Sequence, residues 1–219
     1  ILPTTTAYAR NAIFSGMMPT EIVKKYPNLW VSDDEEEGKN LNEPDFLEIQ
    51  LQQNRITDKH SYHKITNPAA GKDLNSKFNN LDNNKLNVIV YNFVDMLSHA
   101  RTDSNMVREL APDESAYRSI TRSWFIHSPL FEMLKMIADR KARLVITTDH
   151  GTIRVKRPFK IIGDRQTNTN LRYKHGKNLG YTDKDVFTVR KPERFFLPKA
   201  NVSTTFVFAI EDYFFAYPN

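Results

Sequence analysis

Leu144-Val145-Ile146-Thr147-Thr148-Asp149-His150-Gly151 is the stretch on which the reading of this chain turns. Five apolar and β-branched residues predict a buried strand. A carboxylate and an imidazole then stand side by side where that strand meets a loop. In open α/β sheets, ligands collect beyond the carboxyl ends of the strands. Asp with neutral His is also a donor pair for a divalent ion, zinc above all. Taken alone, Asp-His-Gly is equally an ordinary turn.

Working outward, Lys85 to Phe93 predicts a second buried strand, carried by Val88, Ile89, Val90 and Tyr91. Residues 113–140 predict one long helix, or two broken at Ser128-Pro129. Strand, helix and strand together predict a βαβ unit with parallel pairing and a right-handed crossover. At the start, Thr4-Thr5-Thr6 offers caps for a helix over about residues 7–15, closed by Gly16. Pro19-Thr20-Glu21 opens a short helix that Tyr26-Pro27 stops. Phe46 to Leu51 reads as a modest amphipathic helix. The acidic run Asp33 to Glu37 and the Asn-, Asp- and Lys-rich stretch 66–84, a loop or frayed helix, delimit a polar insertion at about 31–84. Phe196-Leu197-Pro198 and Thr204 to Ala209 predict late strands, followed by the aromatic run Tyr213-Phe214-Phe215.

Composition narrows the function classes. The 219 residues are 40% hydrophobic and 11% aromatic, values of a globular domain with one substantial core. No apolar run approaches the roughly 18–20 residues of a membrane helix, so membrane insertion is not expected. With no cysteine, disulfides and thiolate chemistry are excluded, which fits a cytoplasmic location. The net charge is +5, and Arg154, Lys156, Arg157, Lys160, Arg165, Arg172, Lys174 and Lys177 crowd one segment. Such a segment attracts phosphates or nucleic acid, unless it is only a solvated surface.

Asp95-Met96-Leu97-Ser98-His99 follows the strand at 85–93. Four residues apart on a helix, Asp95 and His99 share a face and can grip one ion; the plainer reading is an N-cap beside a surface histidine. Thr4-Thr5-Thr6 stands at a helix N-terminus, where unpaired N–H groups favour an anion and a threonine hydroxyl can act as a nucleophile. Arg10 and Asn11 follow within that helix, able to reach a bound phosphate. Lys174 and Lys177 flank Gly176 and can meet a substrate backbone. His60 and His63 read as insertion surface, His127 as a packed helix residue, and Trp124 and Phe125 as core. His175 lies within the basic Lys-x-Gly-Lys stretch.

On Pro3-Thr4-Thr5-Thr6, Asp95-xxx-His99 and Asp149-His150-Gly151 the chain resembles the alkaline phosphatase superfamily, and within it the PglZ domain. The stretches Thr6–Gly16, Thr148–Val155 and Asn170–Leu179 are similar to the PorX-type response regulators linked to type IX secretion. The resemblance implies an α/β fold, a mostly parallel sheet flanked by helices around an alkaline-phosphatase-like core, over 1–219 as a single domain. It implies Thr6 as catalytic nucleophile and metal ligand, with Asp95, His99, Asp149 and His150 as the other ligands of two divalent ions, zinc foremost. The family's site takes further ligands, expected before Ile1 and beyond Asn219, so the chain reads as a fragment incomplete at both ends. It also implies an N-terminal receiver domain, a homodimer, and a sigma factor or secretion-system partner. The activity expected is a metal-dependent phosphodiesterase acting on nucleotides or oligonucleotides. A non-catalytic regulatory module with a structural metal site, and nucleic-acid binding without catalysis, are the competing expectations.

Overall fold

The computed structural model describes residues 2–32, 40–163, 167–168, 170–199 and 201–216; the acidic run 33–37 and Arg165 lie outside the described residues. In chain order the regular elements begin α1 (Thr6–Ser15), α2 (Pro19–Lys25), α3 (Glu43–Gln53), β1 (His60–Ile65), α4 (Pro68–Ser76) and β2 (Leu86–Tyr91). They continue with α5 (Phe93–Asp103), α6 (Asn105–Leu110), α7 (Glu114–Ile126), α8 (Pro129–Ala138), β3 (Arg157–Lys160) and β4 (Tyr173–Gly176). The last are β5 (Val186–Val189), β6 (Thr205–Ala209) and β7 (Tyr213–Ala216), with short 3-10 turns between some of them. The chain forms two units, one from Ile1–Ile56 with Thr148–Asn219, the other Thr57–Thr147.

In the first unit, α1 begins where Thr5 turns extended and ends where Gly16 adopts φ 66°, the left-handed conformation glycine takes without a steric penalty. A Cβ at Gly16 would stand 2.7 Å from Gln50 Nε2, so α1 and α3 pack closely here. Phe46, Leu47 and Leu51 of α3 are buried. The part of the predicted insertion from Glu43 to Gln53 is therefore packed helix rather than polar surface. β4, β6 and β5 form an antiparallel sheet with β6 central, and β3 pairs with β7 in parallel. Tyr8 of α1 packs with Tyr173, Val189, Leu197, Phe206 and Phe208 in one apolar cluster. This aromatic cluster fixes the helix that carries Thr6.

In the second unit, β1 and β2 pair in parallel, with His60 opposite Leu86 and Ile65 opposite Tyr91. The crossover is α4 and a 3-10 turn at Phe78–Asn83, in the stretch expected to be loop or frayed helix. Asn67 caps α4 through Ala70 N at 2.9 Å. Leu74, Phe78 and Leu81 join Ile65 and Met133 in a buried cluster, and that burial orders a segment whose polar composition hides its apolar stripe. His60 and His63 accordingly lie on a strand, half-buried or nearly so, not on a surface insertion. Burial lowers the His63 pKa from its ordinary value. Ser128 caps α8 and Pro129 opens it, so the predicted break at 128–129 is a helix boundary. His127, expected to be packed, is exposed, its Nδ1 2.8 Å from the Ser123 carbonyl.

Two predicted strands do not form. Leu144 to Thr148 has no regular structure and is exposed, Val145 at 77% and Ile146 at 75%. An apolar, β-branched run encodes strand propensity but not a neighbour, and none of the described strands pairs with this one. The parallel pairing of the βαβ expectation is instead that of β1 with β2. Phe196-Leu197-Pro198 follows a 3-10 turn at Pro192–Phe195, with Phe196 left-handed at φ 56°. The α/β class holds, with two parallel pairs, but the three-stranded sheet is antiparallel.

Gly71 marks a close approach in the second unit. A Cβ there would lie 2.4 Å from Tyr91 Oη and 3.0 Å from Pro129 Cβ. Tyr91 Oη is buried without a hydrogen-bond partner among the described residues, and its burial raises the phenol pKa. Gly71→Ala is expected to cost roughly 1–3 kcal/mol of stability by overpacking. Tyr91→Phe removes the obstructing oxygen, so Gly71→Ala costs less in that background, as denaturant titration of both single variants and the double variant measures.

Candidate active site

Asp95 sits in the first turn of α5, directly after the carboxyl end of β2. His99 lies one turn on, its Nε2 3.6 Å from Asp95 Oδ1, both exposed. The spacing gives the shared face that the sequence predicts. α5 is tied to α7 by Ser98 Oγ 3.3 Å from Tyr117 Oη and by Arg101 Nη1, which donates to Glu114 Oε1 at 3.4 Å. Arg101 also lies over the Tyr117 ring, 5.3 Å from its centroid.

Asp149 and His150 form the second pair, in the first unit, with His150 Nε2 3.7 Å from Asp149 Oδ2. Thr148 Oγ1 donates to the His150 carbonyl at 2.7 Å, closing a tight turn that holds the two side chains together. His150 Nδ1 lies 3.3 Å from the Gly151 carbonyl. With Nδ1 protonated it donates there, and Nε2 keeps its lone pair for a ligand.

Thr6 opens α1, half-buried. The helix has no side-chain N-cap bond and no acidic residue in its first turn. Its leading N–H groups and positive dipole end therefore lack an anion of their own. Thr5 Oγ1 beside them is buried without a hydrogen-bond partner among the described residues. Arg10, four residues on, shares the face of Thr6. Its Nε lies 2.5 Å from Glu43 Oε1 and 4.0 Å from Asp149 Oδ2. One guanidinium thus reaches Glu43 and, at the edge of ion-pair range, Asp149. Glu43, fully buried, was hidden in the acidic stretch 31–44; the helix-start signal Asn42-Glu43-Pro44 could have revealed it.

The other candidates fall differently. Asn11 is buried, its Nδ2 donating to Ala7 O at 2.9 Å. Lys174 is fully buried on β4, its ammonium donating to Asn168 O at 2.7 Å, which takes it away from solvent. Lys177 is half-buried beyond that strand. His175 stacks on Phe206 with ring centroids 5.1 Å apart, inside the aromatic cluster. The basic segment is not a uniform cationic surface. Arg157 is held by Glu211 and Asp212, and Arg172 donates to the Tyr213 carbonyl. Arg154, Lys156 and Lys160 remain exposed.

Desolvation pushes the Lys174 ammonium from 10.5 down to about 8. Between those values the unfolded chain binds the proton that the folded chain has released, so stability rises with pH across the window. At 1.36 kcal/mol per unit, the gain is on the order of 3 kcal/mol. Lys174→Met is expected to abolish the rise, measured as the stability difference between the two proteins at pH 7.5 and pH 10.

Each Asp–His pair fits a zinc-like ion by donor chemistry, oxygen with imidazole nitrogen. Two donors do not close a coordination sphere, and no group of three or more His, Asp or Glu gathers among the described residues. No helix among them is long and apolar enough to cross a membrane.

The family described as the BREX system PglZ alkaline phosphatase-like domain matches residues 1–219, and the chain belongs to it. Membership suggests a hydrolase of that superfamily. No curated protein matches the chain.

Proposed function

We propose that the chain is a metal-dependent phosphodiester hydrolase with Thr6 as its nucleophile. The observation that carries this reading is Arg10, which stands on the face of Thr6 and within ion-pair range of Asp149. A phosphate at the start of α1 would meet the leading end of the helix, a guanidinium and a hydroxyl together. Thr6 Oγ1 attacks phosphorus, the ester oxygen leaves, and water later cleaves the phosphoryl–threonine bond to restore the hydroxyl. The α1 N–H groups and Arg10 take the charge that gathers on the non-bridging oxygens.

Asp149 and His150 with Thr6 would hold one divalent ion, and Asp95 with His99 another, with zinc the best match to the donors. Such ions supply Lewis-acid charge and lower the pKa of a hydroxyl bound to them. Arg154, Lys156 and Lys160, exposed just after His150, favour an extended anionic substrate, a nucleotide or oligonucleotide. The stretches 6–16, 148–155 and 170–179, similar to PorX-type regulators, extend the proposal to an effector domain of a response regulator serving type IX secretion. Receiver domain, dimerisation, sigma-factor or secretion partners and a cytoplasmic setting belong to that extension.

Hydrolysis of bis(p-nitrophenyl) phosphate by this chain, with zinc added and with zinc chelated, tests the reading. Turnover that needs both the ion and Thr6 supports it. Turnover indifferent to both defeats it.

A further inference from the structure

The Arg10–Glu43 pair lies beside the proposed site and is not explained by packing. Glu43 stands in the first turn of α3 with its side chain 0% exposed, and Arg10 is 12% exposed. A carboxylate this deep is costly to desolvate, and well-packed apolar residues would serve stability at least as well. Nε of Arg10 is ion-paired with Glu43 Oε1 at 2.5 Å, whereas Nη2 is buried without a hydrogen-bond partner among the described residues. A buried cationic donor left unpaired is unfavourable, and an anionic oxygen would satisfy it. Asp149, 4.0 Å from Nε, is the competing carboxylate.

We propose that Glu43 is a positioning residue, which holds Arg10 by Nε so that the rest of its guanidinium faces a phosphate oxygen at Thr6 instead of collapsing onto Asp149. The proposal rests on the catalytic reading above and adds to it the residue that orients the anion receptor. Glu43 touches no substrate; it acts through Arg10. Its location in the first turn of α3 suits a carboxylate, because the helix dipole favours negative charge there. The α1–α3 contact at Gly16 and Gln50 keeps the two helices close enough for the pair to form.

The test is binding of inorganic phosphate to this chain by titration calorimetry, with thermal melting alongside. Glu43→Gln keeps the volume and removes the charge, and is expected to weaken phosphate binding about tenfold, the effect of losing one well-aimed charge-assisted hydrogen bond. Arg10→Gln is expected to weaken it at least as much. The double variant should bind no worse than Arg10→Gln alone, because Glu43 has nothing left to orient. A purely structural Glu43 predicts otherwise: lower melting temperature, unchanged phosphate affinity, and additive effects; that pattern overturns the proposal. If Glu43→Gln does not fold, Glu43→Asp sets the charge back by one methylene, and unchanged phosphate binding in that variant overturns the proposal equally. The two levels separate cleanly. If Arg10→Gln leaves phosphate binding intact, or the chain binds none, the catalytic reading fails and takes Glu43 with it. If Arg10→Gln weakens binding and Glu43→Gln does not, only the positioning role fails.

Discussion

Thr6→Ala is expected to lower turnover of an activated phosphodiester at least about a thousandfold while leaving phosphate affinity within roughly a factor of three. The first effect follows from removing the attacking oxygen, since losing a covalent nucleophile leaves only the catalysis that positioning and charge supply. The second follows from what remains: Arg10 and the open N-terminus of α1, where no side-chain cap and no acidic residue compete for the anion. Stability is not expected to fall. Thr6 is the first helical residue, Thr5 holds the cap position without a side-chain bond, and alanine is the better helix former by a few tenths of a kcal/mol. A thousandfold loss with an unchanged melting temperature is therefore chemistry, not unfolding. Unchanged turnover would remove Thr6 from the mechanism, and lost phosphate binding would mean that the hydroxyl holds the ligand more than it attacks.

The parts of the fold legible in the sequence were those fixed by local chemistry. Gly16 ends α1, Pro19 opens α2, and Ser128-Pro129 divides α7 from α8, because caps and prolines act on their own backbone. Asp95 and His99 meet because helical spacing alone brings them together. What stayed hidden depends on partners distant in sequence. Leu144 to Thr148 has every mark of a core strand and lies exposed, because strand propensity cannot name its neighbour. Residues 66–84 look polar, yet Leu74, Phe78 and Leu81 reach a core built by Ile65 and Met133. Charge misleads in the same way. Lys174 counts as basic surface until β4 buries it, and Arg157 until Glu211 and Asp212 hold it. Glu43 is the converse case, an acidic residue in an acidic stretch whose role is set by Arg10, thirty-three positions earlier.

Tyr8→Ala is expected to be the most damaging single truncation in the first unit, at about 3–5 kcal/mol. Tyr8 is 3% exposed and meets three rings edge-on: Trp30 at 5.6 Å, Tyr173 at 6.2 Å and Phe206 at 6.4 Å between centroids. Each such pair contributes about 0.5–1.5 kcal/mol beyond its buried area, and truncation also leaves a void the sheet cannot follow. Domains of this size hold only about 5–15 kcal/mol in total, so the loss is a large share of what keeps α1 on β4 and β6. Two residues before Tyr8 stands Thr6 and two after it Arg10, so loosening this anchor displaces nucleophile and anion receptor together. Trp30 reports the event. In a Trp124→Phe background it is the sole indole, and its fluorescence follows denaturation of the first unit alone. Tyr8→Phe keeps the ring and should retain most of the stability. Below its transition, Tyr8→Ala should still bind phosphate more weakly than wild type, because a helix seated on fewer rings presents its N-terminus less rigidly. Equal affinity in the folded variant would show that α1 is held in place by α3 instead, through the contact at Gly16.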